Sequence, residues 1–219
     1  MERFRLTWHV LLLISLPLAI LFLSSNIALR MPEMYVYHFN DSQVTSWLSV
    51  DAGSREFAEA ITSYLNGFGD EEFQMYEQNG TYRDPLFDVD ESNMMARIKS
   101  VLTAETIAAA LFTVVTVISY AFLYQSGKRA LRRSGLMAVC IGVVLQVLQI
   151  LAIHTKPTRN LLYDTFIGFD LHDEALLATL LRSPFEKTYL IFASVLGFAM
   201  LMVFTYFHLF MTKEKRLFS

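Results

Sequence analysis

Two stretches of this chain concentrate side chains able to move protons. In "DVDESNMMARIKSVL", residues 88–102, Glu91, Arg97 and Lys99 fall on three successive helical turns just ahead of a long apolar run. Such a series is either a membrane-surface helix with incidental charges or the edge of an active site. In "YDTFIGFDLHDE", Asp164, Asp170, His172, Asp173 and Glu174 occur within eleven positions, interleaved with Tyr163, Phe166 and Phe169. Imidazole titrates near neutral pH, so His172 beside Asp170 is a candidate general base. The two are two residues apart and would not face each other on a helix, although an extended or capping segment can point both into one cleft. The plainer reading is a solvated loop whose aspartate caps the helix "EALLATLL" that follows. His9, His38, His154 and His208 are the other histidines. His154, at the end of an apolar run, reads as an interfacial residue bonded to water or headgroups.

The elements that must position these residues are dictated by apolar content. The chain has 219 residues, 54% hydrophobic and only 18% charged, with a mean hydropathy of +0.38, a balance that a water-bathed domain of this size could not bury. Four runs, about 8–29, 106–124, 135–153 and 188–211, each approach the roughly 20 residues that cross about 30 Å of hydrocarbon. The first run is too long for a signal-peptide core and has no small-x-small cleavage site after it. The expected fold is therefore an all-α integral membrane protein. It has four transmembrane helices, amphipathic outer-surface helices, and one domain over 1–219.

Charge sets the expected orientation. Lys128, Arg129, Arg132 and Arg133 lie between the second and third runs, and Lys213, Lys215 and Arg216 follow the fourth. The positive-inside bias puts these segments and both termini in the cytoplasm, with 30–104 and 154–187 facing outward from the cell membrane. Within the outer segments, Ser54 is expected to cap a helix that buries Phe57, Ile61, Tyr64 and Leu65 and stops at Asn66-Gly67. Asp90 is expected to cap a second helix, which shows Met94, Met95, Ile98, Val101 and Leu102 on one side and runs into span two. A third carries Leu176, Leu177, Leu180 and Leu181 and ends at Ser183-Pro184. Residues 70–89 read as turns with one short hairpin.

The sequence also excludes classes of function. It has no phosphate-cradling glycine loop, no zinc-type His/Cys spacing and no GxSxG elbow, so no metal or cofactor is expected. The basic clusters are small and sit at helix ends, which argues against nucleic acid. Cys140 is the single cysteine, so no disulfide can form within one chain. The spans hold essentially no ionisable groups away from their ends, which weighs against a transporter or proton pathway.

Four spans, a large outer segment after the first, "SYLNG" in a surface helix, and an E-x-x-x-M-x-x-x-K helix leading into span two together resemble the lipoprotein intramolecular transacylase family of Gram-positive bacteria. That family carries a Glu-x-x-His-Met-x-Asp-Val-Lys run, matched here by Glu91, Met94, Met95, Arg97, Ile98 and Lys99. Glu, Met and Lys agree; Met94 replaces the histidine and Arg97 the aspartate. The family's second histidine, in a Phe-His pair, has Phe169-Asp170 as its counterpart. The resemblance implies that an acyl chain moves from a diacylglyceryl lipid to the amino group of an N-terminal cysteine at the outer interface. Partners would then be membrane lipids and bacterial lipoproteins. A base for the ammonium proton would be His172 or Asp170, and oxyanion donors would be Arg97 and Lys99 near Glu91. A thioether at position 94 neither accepts nor donates a proton at neutral pH. Three readings follow: a transacylase with a rearranged acid–base pair, a non-catalytic relative that keeps the lipid- or lipoprotein-binding cleft, and a four-helix membrane protein with another role, such as a complex subunit.

Overall fold

A computed structural model describes residues 2–42, 53–68, 72–79, 82–152, 155, 175–181 and 185–213. Along the chain come α1 (Glu2–Leu29), α2 (Pro32–Ser42), α3 (Ser54–Asn66), β1 (Tyr76–Asn79), β2 (Tyr82–Pro85), α4 (Val89–Ser126), α5 (Lys128–Ala152), α6 (Leu176–Leu180) and α7 (Phe185–Met211). Helices α1, α4, α5 and α7 are each long and apolar enough to cross a membrane, so the four spans are present, each helix being longer than its apolar run. The hairpin is the departure from helix among the described residues. Its strands pair antiparallel, Tyr76 opposite Pro85 and Asn79 opposite Tyr82. The chain divides into two compact units, one of Met1–Asn26, Glu105–Leu151 and Ala193–Ser219, the other of Ile27–Ala104 and Ala152–Phe192.

The first unit is built for hydrocarbon. Its core gathers Leu12, Leu16, Ile20, Leu123, Leu131, Ala138 and Leu201, while Leu111, Val117, Val195 and Met202 are each at least 60% exposed. Apolar surface on that scale is tolerable only against lipid. Polar groups inside the unit are met by one another, as a medium without water demands. Thr116 donates to Ser15 at 2.8 Å, Ser25 to Glu105 at 3.2 Å, and His9 bonds Ser134. Glycines let α5 and α7 approach. A methyl group on Gly135 would overlap the His208 ring, and one on Gly142 would press into Leu201.

The second unit is aromatic and acidic. Helix α3 buries Phe57, Ala58, Ile61, Thr62, Tyr64 and Leu65, the face that its periodicity marks. It ends as expected at Gly67, whose φ of 78° is the left-handed conformation glycine alone takes freely. The backbone N–H groups of Gly67 and Phe68 return to the Tyr64 and Ser63 carbonyls. Two expected caps are corrected. Ser54 is the first helical residue rather than the cap; Gly53 occupies that position, and its carbonyl accepts from Glu56 and Phe57. Asp90 lies inside the first turn of α4, and Asp88 is the cap.

Candidate functional site

Helix α4 opens with a reciprocal cap. The Glu91 N–H donates to Asp88 Oδ1 at 2.7 Å, and the Asp88 N–H donates back to Glu91 Oε2 at 2.9 Å. This is the D-x-x-E form of a capping box, which stabilises the start of a helix by satisfying orphan N–H donors. The remaining carboxylate oxygen reaches much further along the chain. Glu91 Oε1 accepts the buried Leu177 N–H at 2.6 Å, linking residues 86 apart. Glu91 is buried, so both of its oxygens are committed to backbone donors in a site closed to solvent.

Helix α6 is also held at its other end. His38, on α2, donates a ring N–H to the Leu180 carbonyl. A carboxylate at the first turn and an imidazole at the last match the polarity of the helix dipole. The α2 face that carries His38 is the stripe Met34, Tyr35, His38 and Phe39, all buried. Phe185 packs edge-on to His38 at 5.3 Å between centroids and stacks on Tyr35 at 5.7 Å. Burial lowers the His38 pKa, against the opposing pull of the Leu180 carbonyl, Asp41 and Glu186, so the imidazole is neutral at physiological pH. Tyr35 donates to the Leu29 carbonyl at 2.9 Å, and burial followed by the proximity of Tyr189 pushes its phenol well above the ordinary range.

The other charged candidates sit apart along α4. Lys99 places its Nζ 4.1 Å from the Tyr64 ring centroid, a cation–π contact. Tyr64 in turn packs edge-on to Phe73 at 5.4 Å, and Phe73 meets Phe87 at 4.6 Å. Gln74 fixes that corner by donating to the Phe87 carbonyl at 2.7 Å. Arg30 ties α1 to the end of α3, donating to the Leu65 carbonyl at 2.9 Å. Arg97 is exposed. Met94 and Met95 are fully buried. Glu91 and Lys99 therefore meet backbone N–H groups and an aromatic ring respectively. Asp170 and His172 lie outside the described residues, as does His154. His38 is the residue that spacing could have exposed earlier, because Met34 and Tyr35 precede it at helical intervals on one face. Nothing local announces that it meets Leu180. No group of three His, Cys, Asp or Glu side chains able to hold a metal occurs among the described residues.

Four apolar spans with an aromatic, acidic second unit define an integral membrane protein. The family model described as lipoprotein intramolecular transacylase Lit matches residues 10–159, more than half of the chain, and the chain belongs to that family. Among solved structures it is similar to the membrane integral lipoprotein intramolecular transacylase Lit from Bacillus cereus, at 11% identity and a TM-score of 0.73 over 100% of both chains. Two further structures of that Bacillus cereus protein carry a histidine replaced by alanine or by arginine. Both are 12% identical with TM-scores of 0.71, covering 99% of this chain and 97% or 95% of theirs. At such identities the likeness is one of fold. No curated protein matches the chain.

Proposed function

We propose that this chain is a lipoprotein- or lipid-binding member of the transacylase family. In this reading residues 1–219 act as one membrane domain, with both termini in the cytoplasm and the second unit's acidic and aromatic material on the outer face. The observation that carries the reading is the state of the 88–99 segment. Met94, at the position where the family resemblance places a histidine, is fully buried, and Glu91 spends both carboxylate oxygens on backbone N–H groups. At position 94 the thioether offers no proton-carrying group, and Glu91 serves as a junction between α4 and α6. The lipid partner is a diacylglyceryl lipoprotein, whose acyl chains stay in hydrocarbon while its ester and amine sit at headgroup depth.

The test joins binding to chemistry. Purified full-length protein should bind a synthetic diacylglyceryl lipopeptide and not the same peptide without lipid. In a bacterium lacking lipoprotein N-acylation it should leave lipoprotein N-termini unconverted by mass spectrometry. Equal affinity for the two peptides would overturn the binding reading.

A second reading is favoured by one feature, the anchoring of Leu177 to Glu91. In the sequence Leu177 follows His172 by five residues. In this reading His172 or Asp170 takes the proton from the cysteine ammonium, and Lys99 and Arg97 donate to the oxyanion. The ester C–O bond breaks as the amide C–N bond forms, and the proton passes to the departing glyceryl oxygen. Lyso-lipoprotein that forms in the same bacterium and disappears on joint Asp170→Ala and His172→Ala substitution would establish this reading and displace the first.

A further inference from the structure

Between α1, α4 and α7, within the first unit, lies a trough of about 900 Å³, in the range of cavities that hold a sizeable ligand. Its walls are hydrocarbon, with Leu16, Ile20, Val117, Met200 and Phe204 among them. On α4 it runs from Thr113 to Gln125 and on α7 from Leu196 to Met211, which at 1.5 Å per residue is a length of about 20 Å. A trough that long and that apolar suits an extended acyl chain. One end is different. There Tyr120, Tyr124, Gln125 and His208 line the trough, and Tyr120 is bonded to His208 at 3.1 Å.

That end is where α1 begins, α4 ends, α5 begins and α7 ends, as the stacking of Trp8 on Phe122 and the His208 bond to the Arg132 carbonyl show. Among the described side chains of the unit it gathers Arg5, Lys128, Arg129, Arg132, Arg133 and Lys213 and no carboxylate. The unit's one described carboxylate, Glu105, pairs with Ser25 near the opposite end of α1. Lys128 lies 5.7 Å from the ring centroid of Tyr124, itself a trough residue. An apolar trough whose polar end lies at the helix ends that carry these cations is complementary to one molecule class, a lipid whose headgroup is negative.

We propose that this trough is a binding site for one anionic phospholipid, its acyl chain along α4 and α7 and its phosphate held by Lys128 and Arg132. The site is independent of the acyl-transfer question, since none of its residues belongs to the second unit. Native mass spectrometry of the full chain in neutral detergent, offered phosphatidylglycerol and phosphatidylcholine of identical chains, tests it. One phosphatidylglycerol should be retained with a preference of about tenfold. Joint Lys128→Gln and Arg132→Gln substitution, at exposed positions and with folding checked by circular dichroism, should bring the two lipids within about twofold. Ala199→Phe, which fills the trough and leaves the charges, should abolish retention of both, with folding checked by circular dichroism. Equal retention of the two lipids by the unmodified chain, or a preference that survives removal of both charges, overturns the proposal.

Discussion

The two units of this protein solve the same problem, satisfying polar groups in a dry interior, in opposite ways. In the first unit polar side chains mostly pair with each other across helices, Ser15 with Thr116 and Tyr120 with His208, His208 alone of these also reaching a distant carbonyl, that of Arg132, and close packing through glycine does the rest. In the second, charged or titratable side chains reach backbone groups of distant segments: Glu91 to Leu177, Arg30 to Leu65, His38 to Leu180. The difference follows from the medium. A bilayer forbids open backbone, so its helices are closed and only side chains remain to be paired. A unit made of short helices and a hairpin leaves helix ends exposed, and those ends demand donors and acceptors.

The contrast predicts which changes hurt which unit. Glu91→Ala removes an acceptor from two backbone N–H groups at once and should cost about 3 kcal/mol. Hydrogen exchange should show faster exchange at 175–181 and at the start of α4, with the α5 amides unchanged; uniform loss across both units would erase the distinction. Gly135→Ala should cost about 2 kcal/mol by overpacking against the His208 ring, read as a lower Tm with the 175–181 amides still protected. Met94→His introduces a polar ring into a fully buried position. It should lower stability by about 2 kcal/mol and yield no lyso-lipoprotein by mass spectrometry.

A subtler change concerns pH. Burial holds the His38 pKa below its ordinary value in the folded state, so the unfolded chain takes up its proton first as pH falls. Stability from this residue is complete above about pH 7 and declines as pH drops through roughly 6.5. Urea midpoints measured at pH 7.5 and 5.5 should differ, and His38→Gln, which keeps a donor for Leu180, should narrow the gap. The smallest effect is expected at Lys99. Lys99→Met should cost below about 1 kcal/mol, measured as a shift in urea midpoint that vanishes when Tyr64 is replaced by Leu.

Much of the fold was legible because its signals are local. Span length, the period of Phe57, Ile61 and Leu65, and the Asn66-Gly67 stop each depend on a dozen residues or fewer. The cap of α4 was misplaced at Asp90 by following only the apolar pattern; the D-x-x-E spacing of Asp88 and Glu91 is the signal that marks it. Of the candidate site, the spacing of Glu91, Met94 and Lys99 shows that they share a helix and nothing about what faces them. Glu91 reads as a candidate catalytic residue and is found holding Leu177; Lys99 reads as an oxyanion donor and is found over the Tyr64 ring.

By itself the sequence determined four apolar helices, the charge asymmetry of their ends and the absence of a proton-carrying side chain at position 94. These are properties of composition and of spacing along one helix, and burial free energy accumulates residue by residue. Only the tertiary structure decided that Glu91 and His38 grip the two ends of α6, and that α1, α4 and α7 leave a trough ending among cations. Those facts join residues up to 195 positions apart, Leu16 and Met211, and no periodicity along a chain encodes which of its distant segments will supply the partner.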